Sequence, residues 1–200
     1  LQPELATGLD LAYEKYLPTG GFVGVNFFRR EIQGLIRNLV SLQPVGWSSS
    51  PRWVSRPENV GKAITQGLEF EARGRLNEWW PEMPAINVRG NCSLYNSSVS
   101  SVPGPDNRID QQPRATGNLG LDYRFKEWPL QLGGNVNLTP GYTIRSAVDQ
   151  TTTTGLNRQA EIFGSWSFSP EVQLRLSANS LFAPDAYSLS TTANSRRETV

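Results

Sequence analysis

Few side-chain types in this sequence of 200 residues can do chemistry. There is no histidine. Serine–histidine–aspartate catalysis, cysteine–histidine catalysis and imidazole metal sites are therefore excluded from this segment. No catalytic residue, metal ligand or cofactor is assigned, and the chain is not expected to be an enzyme. The single cysteine, Cys92, has no partner for an internal disulfide. It reads as a small apolar residue on a strand face. What remains is a set of charges at alternate positions: Glu69, Glu71, Arg73 and Arg75. Side chains two residues apart on a strand share a face. The chemistry open to them is pairing across neighbouring strands rather than proton transfer.

The stretch Glu58–Leu76 must position those charges. From Ile64 onward it alternates, with Ile64, Leu68, Phe70, Ala72, Gly74 and Leu76 on one side and Gln66 as the exception. Thr65, Gly67, Glu69, Glu71, Arg73 and Arg75 fall on the other. A period of two over this length predicts a strand about twice the common length of about 5–6 residues. Both a membrane wall, with lipid on one side and water on the other, and a long strand in a soluble sandwich fit this stretch alone.

Composition favours the wall. Hydrophobic residues make up 38% and charged residues 18%, against about 45–50% and about 25% in soluble domains. Glycine, serine, threonine, asparagine and glutamine fill the difference, as strands with a polar but weakly charged second face require. The net charge of +1 and the absence of a basic run give no pull toward nucleic acid. No apolar run approaches the roughly 20 residues of a spanning helix. Leu1 is not a natural start, since the only methionine is Met83, and the chain reads as a piece of a longer one.

The same alternation recurs along the chain. Residues 7–16 and Phe22–Ile32 flank the turn Pro18-Thr19-Gly20-Gly21 and predict a long hairpin. Leu35, Ile36, Leu39 and Val40 either extend the second strand or begin a folded loop. Residues 41–57, with three prolines and Trp47 and Trp53, read as a loop. After the opening stretch come a short connection at 77–84, a strand at 85–96 and a second long loop at 97–113. Strands follow at 115–125 and 130–138. A third long connection is expected at 140–155, then strands at 159–168 and 172–181, with a fourth loop starting near Ala183. Residues 196–200 look like a further strand being entered.

The connections alternate short and long, as in antiparallel membrane barrels with short turns at one rim and long loops at the other. Tyr13, Tyr16, Trp79, Trp80, Tyr123, Phe125, Trp128, Trp166 and Phe168 lie at or beside the short-turn ends. Stacked in a meander they form one band, the position aromatic rings favour at a lipid–water boundary. The expected fold is all-β: an antiparallel up-and-down meander of about eight long strands, with two edges left to be paired.

Four short blocks then carry a family resemblance. They are Leu1-Gln2-Pro3-Glu4 followed by Gly8; Phe27-Phe28-Arg29-Arg30-Glu31-Ile32 with Leu35-Ile36; Asn59-Val60-Gly61 with Gly67-Leu68-Glu69; and Leu176-Ser177-Ala178-Asn179-Ser180-Leu181-Phe182 with Asp185 and Tyr187. In this order they resemble the carboxy-terminal part of the barrel of a TonB-dependent outer-membrane receptor of the siderophore-uptake type. Pro184 departs from the last block. The resemblance implies that residues 1–200 form part of a 22-stranded transmembrane β-barrel domain. Plug domain, TonB-engaging segment and closing strand would lie elsewhere.

Function follows as what the resemblance implies: import of a ferric siderophore or similar scarce nutrient across the bacterial outer membrane. Partners would be outer-membrane lipid, the plug of the same chain, TonB and the nutrient, with no nucleic acid. Because ferric siderophores are often anionic, loop arginines and aromatics become ligand-binding candidates: Trp47, Trp53, Arg108, Arg114, Tyr142 and Arg145. Arg73, Arg75, Arg89, Arg124 and Arg175, with Glu69, Glu71 and Asp122, are expected to pair across strands or hold the plug. Asn91-Cys92-Ser93 and Asn96-Ser97-Ser98 match the N-glycosylation pattern, without meaning in a bacterial barrel. The competing readings are a soluble, secreted β-sandwich binding module and an outer-membrane enzyme.

Overall fold

The computed structural model describes residues 1–18, 20–182 and 187–192, and the backbone of 195–199. Thr19 of the first turn, and Ala183, Pro184 and Asp185 of the last loop and block, lie outside the described residues.

The alternating stretches become strands β1 (Leu5–Tyr16), β2 (Phe22–Gln33), β5 (Ala63–Arg75), β6 (Asn87–Val99), β7 (Ala115–Arg124), β8 (Leu130–Thr139), β11 (Asn157–Ser167) and β12 (Gln173–Asn179). They form one eight-stranded sheet in the order β1-β2-β5-β6-β7-β8-β11-β12, every neighbour antiparallel. β1 and β12 are its two edges, so the sheet does not close. The eight expected strands are the eight observed, in the expected pairing. A short helix, α1 (Leu76–Trp79), sits in the connection after β5.

Register carries the alternation from strand to strand. Leu11, Phe27, Leu68, Leu94 and Ala115 form one rung, and Tyr13, Val25, Phe70, Cys92 and Gly117 the next. Further along, Leu121, Gly134, Ile162 and Ala178 continue the same face. Leu68 is 39% and Phe70 42% exposed. A soluble sandwich would pack this face against a second sheet. Among the described residues no second sheet covers it, and the sandwich reading fails. Cys92 is exposed on this apolar face, as read from the sequence.

The other face is polar and cross-linked. Arg30 pairs with Asp10 at 3.2 Å, Arg89 with Asp122 at 3.4 Å and Arg175 with Glu161 at 3.6 Å. Asn26 donates to Glu69 at 3.1 Å, and Asn87 and Gln131 both donate to Asp122, at 2.8 and 3.0 Å. Asp122 thus gathers three donors from two flanking strands. Arg89 and Arg175 pair across strands as expected. Arg75 instead turns to Glu78 of α1 at 3.0 Å, and Arg73 lies 5.1 Å from the Phe22 ring centre. Gly133 makes room on this face for Phe163: a Cβ there would stand 2.6 Å from the Phe163 ring.

The aromatic band forms at the short-turn rim. Trp79 and Trp80 meet edge to face at 6.2 Å, Tyr123 and Phe125 at 4.9 Å, and Phe125 stacks on Trp128 at 5.9 Å.

The long connections depart from expectation. Residues 41–57 are not a loop: β3 (Ile36–Gln43) and β4 (Arg52–Asn59) pair as a separate hairpin. Pro44 and Pro51 lie in its tip. Pro57 is tolerated because β4 pairs only with β3 and its other edge bonds no strand. Glu58 and Asn59 therefore belong to β4, and β5 starts only at Ala63, after Gly61 with φ 106. β6 likewise runs three residues beyond its expected end at Asn96. Residues 140–155 hold β9 (Tyr142–Ala147) and β10 (Gln150–Thr154), which join β13 (Ser188–Thr192) and β14 (Ser195–Thr199) in a small sheet ordered β14-β13-β10-β9. Four consecutive threonines favour strand, but without apolar–polar contrast they give no period to read. Of the strand expected at 196–200, residues 196–199 fall in the backbone of β14, and Val200 lies outside the described residues.

Candidate functional site

A buried apolar cluster lies where the long connections meet the wall. Leu35, Ala63, Val99 and Val102 form it, joined by Ile32, Val60 and Ile109. Val99 is fully buried at 0% exposure. All but Ile109, which comes from the loop after β6, sit at a strand end or just past one, so the cluster joins wall to loops.

Three sequence blocks converge on this joint. Asn59 accepts from the Gln2 amide at 2.7 Å and donates to the Gln2 carbonyl at 2.9 Å and the Gly34 carbonyl at 2.7 Å. Glu4 accepts from the Ile36 amide. The Leu35 amide donates to the Gly61 carbonyl at 2.9 Å, and the Val60 amide to the Leu35 carbonyl at 2.7 Å. Gly34 has φ 68, which a side chain would strain.

Above the joint, buried polar side chains tie the loops together. Arg37 on β3 donates to the carbonyls of Arg108 and of Ser146, the latter at 3.2 Å, and pairs with Asp110 at 3.1 Å. Burial pulls the pKa of the Arg37 guanidinium down, with Asp110 opposing. Partial burial pushes the Asp110 carboxyl up, though its side chain stays 48% exposed, with Arg37 opposing. Gln150 at the start of β10 donates to the Val40 carbonyl at 2.5 Å. The loop after β6 folds back onto the wall's polar face: Gln112 donates to Thr65 at 2.9 Å and the Ile109 amide to Ser97 at 3.1 Å.

The six candidate residues divide between this framework and the surface. Arg108 is buried and donates to the carbonyls of Tyr95 at 2.8 Å and Pro113 at 3.4 Å. Burial chiefly lowers its pKa, with Arg114 adding to the effect. Arg145 donates to the carbonyls of Pro103 and Gly104 at 3.4 and 3.5 Å. Arg114 is exposed and pairs with Asp106 at 3.0 Å. Trp47, 75% exposed, sits at the tip of the β3–β4 hairpin with Arg52 6.0 Å from its ring centre, and Trp53 is 45% exposed opposite Leu42. Arg108, Arg114, Tyr142 and Arg145 therefore gather around the loop after β6 and β9; the tryptophans stand apart on the hairpin.

Two hollows open here. One, of 370 Å³, lies between β3, the Asp110–Gln111 segment and the small sheet. The second, of 690 Å³, is lined by Asp106, Arg114, Tyr142 and Tyr187 among others. Tyr142 and Thr154 line both. Sequence reading missed Arg37, Asp110 and Gln150. An arginine inside a short stretch rich in leucine, isoleucine and valine was the available signal for the first. Among the described residues no group of three or more histidines, cysteines and carboxylates could hold a metal ion.

A two-faced antiparallel wall with short turns at one rim and structured loops at the other defines a segment of a transmembrane β-barrel. The chain belongs to the TonB dependent receptor-like β-barrel family, whose model matches residues 1–179. Its fold is similar to that of the FrpB iron transporter from Neisseria meningitidis (F3-3 variant), with a TM-score of 0.59 and 15% identity, over 94% of this chain and 27% of that one. The chain thus spans about a quarter of that transporter's length. Comparison with curated proteins finds no match.

Proposed function

We propose that this chain is a wall segment, with its lumen lining and outer loops, of a TonB-dependent transporter in the bacterial outer membrane. The parent would import a scarce nutrient, a ferric siderophore being the class first expected. The observation that carries this reading is the sheet's division into an unpartnered apolar face and a cross-linked polar face, with tied loops at one rim only. In that setting the apolar rungs meet lipid and the Asp122 and Glu161 networks line the lumen. The loops at the long-connection rim face outward and meet the nutrient first. The plug, and the segment that engages TonB, belong to other parts of the same parent chain. The receptor does no covalent chemistry; it captures the ligand and is reset by energy delivered through TonB.

The test is uptake by cells carrying the intact parent receptor, with and without TonB, using radioiron chelated by siderophores of several classes. Accumulation that needs both receptor and TonB is expected. Receptor-dependent entry that persists without TonB overturns the reading.

A further inference from the structure

The apolar face changes character at one rung. Leu11, Phe27, Leu68 and Leu94 stand side by side across β1, β2, β5 and β6. The next rung toward the long connections is Leu9, Arg29, Gln66 and Asn96. Residues two apart on a strand share a face, so Arg29 and Gln66 stand on the same side as Phe27 and Leu68. Gln66, the break in the alternation of β5, thus lies directly opposite an arginine that breaks the pattern of β2. The two are bonded: Arg29 donates to the Gln66 amide oxygen at 3.0 Å. A second donor reaches Glu31, one rung further out, at 3.3 Å. Both charged side chains stay open, 43% exposed for Arg29 and 64% for Glu31.

An arginine on a lipid-facing wall is costly at the bilayer midplane and nearly free at its boundary. Arg29 therefore marks where the apolar belt ends on the side of the long loops. Glu31 does not saturate it, because exposed ion pairs are weak and a guanidinium has more N–H donors than these two bonds use. A phosphate takes two parallel N–H bonds from a guanidinium, which Gln66 holds in place here. Asn96, exposed beside Gln66, adds an amide. On the other side, toward the short turns, Phe27, Leu68 and Leu94 offer apolar surface to chains attached to such a phosphate. A free anion would use only the polar rung, and a lipid without phosphate only the apolar one.

We propose that Arg29, Gln66 and Asn96 form a headgroup site on the outside of the wall for a phosphorylated lipid of the outer leaflet. Its acyl chains lie along Phe27, Leu68 and Leu94. The site rests on the reading that the apolar face meets lipid and that the long connections face outward. It is separate from the hollows between the loops.

The experiment titrates the intact parent receptor, in neutral detergent, and counts bound lipid by native mass spectrometry. The probes are bis-phosphorylated hexa-acyl lipid A, the same lipid stripped of its phosphates, and inorganic phosphate as competitor. The phosphorylated lipid should bind at least about tenfold more tightly than the stripped one, the worth of a charge-assisted bond. Arg29→Gln should remove that preference. Arg30→Gln makes the same change of charge one residue along, on the polar face where Arg30 pairs with Asp10 at 3.2 Å, and should leave it intact. Gln66→Leu frees the guanidinium from its tether and should weaken binding less than Arg29→Gln does. Equal binding of the two lipids overturns the proposal. So does a preference that survives Arg29→Gln, or one lost equally in Arg30→Gln, in receptor of unchanged melting temperature. Displacement of the lipid by equimolar inorganic phosphate would show a plain anion site and overturn the lipid assignment. A receptor that refolds into vesicles yet shows no preference loses the site and keeps the wall; one that does not enter vesicles loses both.

Discussion

Asn59 holds the backbone of Gln2 from both sides, accepting from its amide at 2.7 Å and donating to its carbonyl at 2.9 Å. The same side chain reaches the Gly34 carbonyl at 2.7 Å. One carboxamide thus fixes the approach to β1, the turn after β2 and the end of β4. Asn59→Leu removes three bonds whose net worth is about 1 kcal/mol each at most, since the site is open to water. A loss of about 2 kcal/mol is expected in urea-driven unfolding of the parent barrel from lipid vesicles. Asn59→Asp should cost nearly as much, because it keeps the acceptor and loses both donated bonds.

The two faces should respond oppositely to charge. Leu68→Arg or Phe70→Arg puts a cation on the apolar face, at a cost of about 2–4 kcal/mol near a bilayer midplane. Glu69→Arg, one residue away on the polar face, breaks the bond from Asn26 and leaves the apolar face untouched. Refolding into vesicles should fall sharply for the first two and little for the third. Equal tolerance at all three positions would sink the lipid-facing assignment.

Gly133 and Phe163 should couple. An added Cβ at Gly133 would press on the Phe163 ring at 2.6 Å, over which Arg175 lies at 3.8 Å, and on the Asp122 Cβ at 2.8 Å. Gly133→Ala should cost about 1–3 kcal/mol through overpacking. Phe163→Ala in the same molecule should restore part of that loss, so the two changes are non-additive. Additive effects in the unfolding cycle would mean that the ring already has room.

Arg37 should hold the loops and not the wall. Arg37→Ala leaves the Arg108 and Ser146 carbonyls without their donor and Asp110 without its cation. Bonds from a buried charged donor are worth about 1.5–3 kcal/mol. Hydrogen exchange should quicken in residues 100–113 and 142–154 while β5 and β6 stay protected. Uniform loss of protection would show instead that wall and loops unfold as one unit.

Asp110 gives the loops a pH dependence with a definite sign. Its pKa is raised in the fold, because partial desolvation of this half-exposed carboxylate outweighs Arg37. The folded state therefore holds the proton more tightly than the unfolded state. The stability it contributes is complete below the ordinary aspartate range near about 4 and declines as pH rises through the raised value. Asp110→Asn should abolish that decline. Exchange of the loop amides, corrected for intrinsic rate and followed upward from about pH 4, reads the difference between the two proteins.

The eight-stranded wall was legible because its apolar and polar residues alternate over long stretches, as from Ile64 to Leu76 with Gln66 the one exception. The aromatic rim was legible because tyrosines and tryptophans cluster beside the short turns. The hairpin at β3–β4 was not, because Pro44, Pro51 and Pro57 read as a loop. The sequence does not tell which proline faces an unpaired edge. Strand β10 escaped because Thr151–Thr154 has no contrast between faces, and β9, only six residues long, was read with it as part of one connection. For the loop residues, type was visible and surroundings were not: Arg108 looked available for a ligand, yet it donates to Tyr95 and Pro113 carbonyls. Burial by partners far along the chain decides such cases.

The ties between loops also set an order of assembly. Neighbouring strands of the wall are close in sequence and can zip one onto the next. Arg37 must wait for Arg108, 71 residues later, and the Val40 carbonyl for Gln150, 110 residues later. Closing such long spans is entropically dearer than pairing adjacent strands. The outer cap therefore sets last, after the strands beneath it have joined.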